Sequence, residues 1–270
     1  MTMKPKMNKR RTAFTRTDLI VVIFILAALI GGMESVTSTE SAKHKAQRIG
    51  CLNNLKQIGM AYSMWAEGHG GQTPASASVS LGGWSDLLTN ADQGANGWTN
   101  YAILADALGN SPRLLMCRAD DRQPAWDFLT NAMLLGFRDY YLQHSTYFLS
   151  NSNLAYFVGV SANAKSPRSV LAGDRNLGGG TAPAPDYGFS PESGNGNDVA
   201  IPVTGPVSWS LKMHSAGKTA GAGNILLGDG SAQQVSSGAF NHTWLPNATP
   251  TTNWPAGHVP ATPSIRLVFP

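Results

Sequence analysis

The hydrophobic pattern of the chain begins with an unbroken apolar run near the N-terminus. Residues 19–33, LIVVIFILAALIGGM, are 15 consecutive apolar or glycine residues. A helix needs about 20 such residues to cross the hydrocarbon core of a bilayer. The run therefore has the length of the apolar part of a signal peptide. The pattern leaves two alternatives open, a cleaved signal and a retained membrane anchor.

A second apolar pattern follows, with a helical period. Spacings of three and four residues relate the apolar positions Ile49, Leu52, Leu55, Ile58, Tyr62 and Trp65. This spacing predicts an amphipathic helix with one apolar face, and the glycines within 68–71 predict its end. Together the two patterns predict one helix from about Thr15 to Glu67.

The rest of the chain is long enough to bury a core of its own. Short runs rich in β-branched and aromatic residues predict strands at 154–160, 169–173, 207–211 and 224–228. Asp229-Gly230 predicts a two-residue hairpin turn, because both residues tolerate positive φ angles. No helical pattern separates these strands. We therefore expect an α+β domain, with a mainly antiparallel sheet packed on the C-terminal half of the long helix.

Two stretches rich in glycine or proline predict long irregular loops. Residues 176–206 contain seven Gly and five Pro, and the tail 241–270 contains six Pro. Loops of this length in a compact domain are usually functional or disordered. We expect the first to lie over the sheet and the second to run along the surface, partly ordered by Trp244 and Trp254.

Charge indicates how the N-terminal segment is oriented. Residues 1–13 hold five basic residues and no acidic one, and cationic flanks stay on the cytoplasmic side of a membrane. Two observations favour a retained anchor. Asp18 directly precedes the run, where an unpaired carboxylate costs on the order of 3 kcal/mol. In addition, residues 31–42 offer only a poor small-x-small cleavage site.

Residues 13–23, AFTRTDLIVVI, resemble the N-terminal methylation motif of type IV prepilins and type II secretion pseudopilins. The resemblance implies that prepilin peptidase cuts between Ala13 and Phe14 and methylates the new N-terminus of Phe14. Asp18 then becomes the fifth mature residue, where the family has Glu. The implied role of its carboxylate is to pair with the N-terminal amine of a neighbouring subunit. The chain departs from the motif at Ala13, Arg16 and Thr17.

The same resemblance implies how the chain is organised. It predicts a leader peptide 1–13, a membrane-anchoring helix half 14–33, an amphipathic helix half 34–67, and a globular α+β head 68–270 with the Pro-rich tail 241–270. The implied fold is type IV pilin-like. The implied location is the inner membrane, crossed once, with the N-terminus cytoplasmic and the head periplasmic or extracellular.

Removal of the leader changes the net charge. The whole chain has 20 basic and 16 acidic residues, a formal charge of +4, and without residues 1–13 it keeps 15 basic against 16 acidic. The mature chain is therefore close to neutral. Its remaining basic residues are scattered, so the charge pattern gives no indication of nucleic-acid binding.

Motifs in the head extend the resemblance over most of the chain. CLNNLKQIGMA from Cys51, LMC ending at Cys117, and His214 followed by NILLGDG at 224–230 resemble the large-headed pseudopilin-like proteins of planctomycetes and verrucomicrobia. Cys51 and Cys117 are the two cysteines, and an exported location is oxidising. We therefore expect a Cys51–Cys117 disulfide, with two buried thiols that never meet as the alternative.

Asp174, His214 and Asp229 form the single group of residues that suggests chemistry. A histidine and two carboxylates at strand ends could bind a cation or perform acid–base work. Calcium would be the ion, because related secretion pseudopilins hold one in a C-terminal loop through oxygen ligands. We favour structural roles: Asp229 in a turn, Asp174 paired with Arg175 or capping a loop, and His214 hydrogen-bonded across the sheet. We predict no enzyme activity and no required cofactor.

The sequence thus predicts a pseudopilin-like structural subunit of a type II secretion or type IV pilus-like system. Its predicted partners are prepilin peptidase, other pseudopilin subunits and the inner membrane. The alternative is a membrane-anchored extracytoplasmic binding module that uses the prepilin signal only for export, with glycans as candidate ligands for its tryptophans. A third class, an anchored hydrolase, would depend on Asp174, His214 and Asp229 alone.

Overall fold

The structure is a computed structural model that describes most of the chain. It describes residues 15–88, 97–128, 147–148, 151–162, 166–190, 201–215, 221–245 and 265–270, without the side chains of 29–41 and 147–148. The chain divides into two units, Met1–His44 and Lys45–Pro270. The predicted processing residues Ala13 and Phe14, and Trp254, lie outside the described residues.

The described part contains three α-helices and several short helical turns. The helices are α1 (Arg16–Gly68), α2 (Gly97–Ile103) and the single turn α3 (Ser237–Ala239), which continues as a π-helical turn, Phe240–Trp244. Turns of 3-10 helix occupy Val79–Leu81, Ser85–Leu88, Pro112–Leu115, Asn151–Asn153 and Met213–Ser215.

The strands form one large sheet and two small ones. They are β1 (Asp127–Phe128), β2 (Tyr147–Phe148), β3 (Tyr156–Gly159), β4 (Val170–Asp174), β5 (Leu177–Gly179), β6 (Ile201–Val203), β7 (Val207–Trp209), β8 (Ala222–Leu227), β9 (Ala232–Ser236) and β10 (Ile265–Val268). The large sheet has the order β6-β10-β3-β4-β8-β9 and every pair in it is antiparallel. β5 pairs with β7 antiparallel, and β1 with β2 parallel. The predicted α+β class with a mainly antiparallel sheet is confirmed.

Both faces of the large sheet are covered, which places a hydrophobic core on each side. Successive strand residues point to opposite faces. In β3, Tyr156 and Val158 join the core that α1 covers, whereas Phe157 joins the other core. That second core is closed by Trp209 of β7 and by Phe240 after α3, whose rings meet edge to face at 5.8 Å.

One face of α1 packs on the first core. Cys51, Leu55, Ile58 and Tyr62 are buried there, at about one helical turn apart. Ile49, which the periodicity assigned to the same face, is 58% exposed. The buried face begins at Cys51 because the segment that follows Pro112–Leu115 meets the helix there. The helix ends at Gly68, and the Gly71 N–H donates to the Ala66 carbonyl at 2.9 Å.

The predicted hairpin between β8 and β9 is present, but its turn is longer than predicted. Leu227 and Ser231 close a three-residue loop, with the Leu227 N–H donating to the Ser231 carbonyl at 2.9 Å. Within the loop Gly230 has a positive φ of 81°, and Asp229 does not. A type I turn followed by one left-handed residue fits this pattern. One glycine with a positive φ is therefore sufficient for this loop, and the prediction of a two-residue turn was wrong.

The two stretches predicted to be irregular contribute strands. β5 and β6 come from 176–206, and β10 comes from the Pro-rich tail. β10 lies between β6 and β3 in the large sheet, and all its residues are buried. The expectation that the whole tail runs along the surface was therefore wrong for 265–268. Those residues, Ile-Arg-Leu-Val, contain no proline, and a central strand needs its N–H groups.

Two glycines of α1 allow a matched test of how the helix packs on the hairpin. An added Cβ at Gly50 meets nothing within 4 Å, so Gly50→Ala is expected to raise the free energy of unfolding by about 1 kcal/mol. An added Cβ at Gly59 would lie 2.8 Å from Leu226 Cδ1 and 3.1 Å from the Gly230 carbonyl oxygen. Overpacking costs about 1–3 kcal/mol. Gly59→Ala should therefore be the less stable variant in urea denaturation, and equal stabilities would contradict this packing.

Candidate functional site

The N-terminal unit begins with a reciprocal pair of hydrogen bonds at the start of α1. The Thr15 N–H donates to Asp18 Oδ2 at 2.9 Å, and the Asp18 N–H donates to Thr15 Oγ1 at 3.3 Å. This is the arrangement of a capping box, which satisfies two N–H groups that a helix start leaves free. Asp18 therefore has a local role in capping the helix.

The first eight side chains after Asp18 are large and apolar, and all of them are exposed. Residues 19–26 range from 42% exposed at Val22 to 77% at Phe24. A helix that is apolar on all sides normally lies inside a larger core or among lipids. Over the side chains that the structure describes, no helix carries a long enough apolar stretch to cross a membrane.

The larger unit contains a buried polar cluster beside the disulfide. Cys51 of α1 and Cys117, just after the turn Pro112–Leu115, form the disulfide that the sequence analysis predicts, with Cα atoms 5.1 Å apart. His214 Nε2 lies 3.4 Å from Cys117 Sγ and 3.3 Å from Asp174 Oδ2. All four side chains are at most 1% exposed. The cluster therefore brings the disulfide together with two of the three residues singled out for chemistry.

Neighbouring backbone holds His214 in place. It lies in the turn Met213–Ser215, whose first residue has a positive φ of 55°. A left-handed non-glycine residue costs about 1–2 kcal/mol, so the turn is maintained by its surroundings. The Ala222 N–H donates to Ser215 Oγ at 2.7 Å, and Arg48 Nη2 donates to the His214 carbonyl at 3.2 Å. Contacts from β8 and from α1 thus fix the turn that carries the imidazole.

Asn224 belongs to this cluster, and the sequence analysis missed it. Its N–H donates to Asp174 Oδ2 at 2.7 Å, and its side-chain nitrogen lies 3.3 Å from His214 Nε2. The available signal was a polar residue inside an apolar strand. Three atoms, Asp174 Oδ1, His214 Nδ1 and Asn224 Oδ1, are buried without a hydrogen-bond partner among the described residues. Buried polar atoms of this kind are uncommon in native proteins and require an explanation.

Asp229 does not belong to the cluster. It is exposed in the loop between β8 and β9, five residues along the chain from Asn224, and its Oδ1 accepts from the Ser231 N–H at 2.8 Å. Hydrogen bonds from Ser231 lower the pKa of the Asp229 carboxyl below its ordinary value. The turn role is the one observed, so the predicted set of Asp174, His214 and Asp229 is split.

The donor set that remains does not suit calcium. Calcium takes six to eight oxygen ligands, whereas the side chains of this cluster offer oxygen only from Asp174 and Asn224, beside an imidazole and two sulfur atoms. With Asp229 elsewhere, the expected calcium site among these three residues is not formed. The ligand atoms of Cys51, Cys117 and His214 lie within 4.8 Å of one another.

Arg175 forms a separate buried ion cluster, and its partners are not those predicted. Its Nε lies 2.6 Å from Asp120 Oδ2 and its Nη2 lies 2.9 Å from Asp121 Oδ1. Its guanidinium stacks 3.3 Å from the ring centre of Tyr187. The expected pairing of Asp174 with Arg175 was wrong because adjacent residues at the end of β4 point to opposite sides.

A cavity of about 540 Å³ borders both clusters. Its lining includes Cys117 and Asp120 together with three arginines, Arg113, Arg118 and Arg122. Burial, followed by the positive charge of Arg175, lowers the pKa of Arg122 to about 10, so the group remains charged at neutral pH. Arg113 stacks on the exposed ring of Trp126 at 3.9 Å.

The chain matches no family model, no curated protein and no solved structure.

Proposed function

We propose that the chain is a pseudopilin-like structural subunit, processed by prepilin peptidase and anchored through its N-terminal helix. The observation that carries the proposal is the exposed apolar surface of residues 19–26 directly after Asp18. Leaving such a surface in water is unfavourable by about 25 cal/mol per Å². Lipid before assembly, and the helices of neighbouring subunits after it, would both cover that surface.

The head supports the same proposal through its attachment to α1. Residues from Cys51 onwards pack into the first core, and the disulfide ties the helix to the segment at Cys117. We infer a type IV pilin-like fold, in which the C-terminal half of a long N-terminal helix packs on a mainly antiparallel sheet. The leader 1–13, the inner-membrane location and the partner subunits are parts of the same proposal.

The assembly role of Asp18 can be separated from its capping role by two conservative variants. Asp18→Asn keeps an oxygen that can accept from the Thr15 N–H but removes the charge, whereas Asp18→Glu keeps the charge. If the carboxylate pairs with a neighbour's amine, Asn should reduce subunit–subunit cross-linking at least about tenfold, a loss of about 1.4 kcal/mol, and Glu should retain it. A photoreactive phenylalanine analogue at Phe24, which is 77% exposed, is a suitable probe.

The measurement is made on the full chain co-expressed with prepilin peptidase, and mass spectrometry reads the mature N-terminus. A methylated Phe14 in both variants shows that processing is intact, and Asp229→Asn serves as the exposed control. An N-terminus beyond Met33 would refute the whole proposal. Correct processing with cross-links that do not depend on Asp18 would instead favour the anchored binding module, for which the arginine-lined cavity is the candidate ligand site.

A further inference from the structure

Two distances in the buried cluster beside the disulfide match those of a zinc site. In a tetrahedral site with Zn–S of about 2.3 Å and Zn–N or Zn–O of about 2.0–2.1 Å, a sulfur and a nitrogen ligand lie about 3.6 Å apart. A nitrogen and an oxygen ligand lie about 3.3 Å apart by the same geometry. The corresponding distances from His214 Nε2 are 3.4 Å to Cys117 Sγ and 3.3 Å to Asp174 Oδ2.

We propose that reduction of the Cys51–Cys117 disulfide converts this cluster into a zinc site. Its ligands are Cys51 Sγ, Cys117 Sγ and His214 Nε2, whose atoms already lie within 4.8 Å of one another. Asp174 Oδ2 lies 3.3 Å from His214 Nε2 but outside the group that His214 forms with the two sulfurs, so its side chain must turn towards them to become the fourth ligand. The proposal concerns the head alone and does not depend on whether subunits assemble.

The chemistry balances with a dithiol as the reductant. The dithiol is oxidised to a disulfide, the S–S bond breaks, and Cys51 and Cys117 receive two electrons and two protons. Zinc binding then releases the two thiol protons, because the thiolate is the ligand. Two tetrahedral sulfur ligands lie about 3.8 Å apart. With Cα atoms 5.1 Å apart, rotation of the two side chains is sufficient to separate the sulfurs by that amount.

The donors select the ion. Thiolates and imidazole favour zinc over calcium or magnesium, which require oxygen ligands. The cavity of about 540 Å³ has Cys117 in its lining, so it is the side from which a reductant and an ion would approach the buried sulfurs.

The first test compares the oxidised and reduced full chain, purified in detergent, with Zn²⁺ and with Co²⁺ as a spectroscopic substitute. We expect one ion per reduced chain and none per oxidised chain. Bound Co²⁺ should show sulfur-to-metal charge-transfer absorption and the visible bands of a tetrahedral site. Equal binding by the two forms would overturn the proposal. So would a reduced chain that binds Zn²⁺ no more tightly when folded than in urea, because free thiols alone would explain that result.

Variants identify the ligands. His214→Ala is expected to weaken Zn²⁺ binding by the reduced chain about 10- to 100-fold, since losses of this size follow even from removing a ligand's partner. Asp174→Asn should weaken it and shift the Co²⁺ bands. Asp229→Asn and His242→Ala, which replace residues outside the cluster, should leave both unchanged. If His214→Ala does not fold, the Co²⁺ spectrum of the wild-type chain still decides, because a spectrum without thiolate absorption would refute the site.

Discussion

Replacement of Arg175 by methionine is expected to lower the free energy of unfolding by about 3–5 kcal/mol. The side chains of Arg175 and Asp120 are both fully buried, and two hydrogen bonds of 2.6 Å and 2.9 Å join them. Methionine fills similar space but leaves the Asp120 carboxylate buried without the guanidinium that forms two hydrogen bonds with it. It also removes the guanidinium from the face of Tyr187. Urea denaturation of the full chain in detergent measures the loss.

The matched controls replace charged groups that are exposed. Arg118→Met removes an exposed arginine three residues before Asp121, and surface changes of this kind usually stay within about 0.5 kcal/mol. Asp121→Asn should also have a small effect, because the Asp121 side chain is 63% exposed and exposed ion pairs contribute about 0–1 kcal/mol. If Arg175→Met lowers the free energy of unfolding no more than Arg118→Met does, the buried ion pair does not stabilise the head.

Local sequence was sufficient to predict the strands that are continuous in apolar residues. The runs at 154–160 and 169–173 became β3 and β4, and the run at 224–228 became most of β8. All three are buried on both faces, which is why they are rich in β-branched and aromatic residues. The pairing of β8 with β9 also follows from local sequence, because the turn between them is short.

β10 could not be predicted in the same way. Ile265–Val268 is only four residues long and follows a proline-rich stretch, so composition indicated a surface tail. Its place between β6 and β3 depends on pairing with residues more than 60 and 100 positions away along the chain. The strand propensities of these four residues contain no information about such distant partners. Tertiary context therefore decides whether the strand forms.

The candidate site was predicted in part for a similar reason. In the sequence, His214 and Asp174 are polar residues beside apolar strands. Asp229 also lies beside an apolar strand, but its position there reflects its role in the turn. Only the antiparallel register, which sets Gly173 opposite Ile225, brings Asp174 to Asn224 and leaves Asp229 at the far end of β8. The proximity of the disulfide to His214 likewise requires α1 and the turn Met213–Ser215 to converge, which no local pattern encodes.

The disulfide and the ion cluster act on the same stretch of chain. Between Cys117 and Asp121 the backbone is attached to α1 by the disulfide and to the end of β4 by Arg175. Asn54 of α1 adds a hydrogen bond from its side-chain nitrogen to the Met116 carbonyl at 3.0 Å. This stretch therefore links α1 to the large sheet, through the disulfide to the helix and through Arg175 to the sheet. Removing either attachment should lower the stability of the whole head.

The Cys51→Ala, Cys117→Ala double variant is expected to lose about 4 kcal/mol of unfolding free energy. The disulfide closes a loop with a sequence separation of 66 residues, and the chain-entropy model assigns about that value to a loop of this size. The effect lies in the unfolded chain, which gains conformational freedom when the link is absent. Urea denaturation of the oxidised full chain and of the variant, both with a chelator, measures the difference.

Reduction of the wild-type chain separates this effect from a packing defect. With a chelator present, the reduced wild type lacks the bond but keeps both cysteine side chains in the core. If the effect of the bond is entropic, the reduced wild type should lose as much stability, relative to the oxidised chain, as the double variant. A loss confined to the variant would show that the missing sulfur atoms, rather than the missing bond, destabilise the core. Addition of Zn²⁺ should then recover stability in the reduced wild type and not in the double variant, because ligand binding to the folded state stabilises it by mass action.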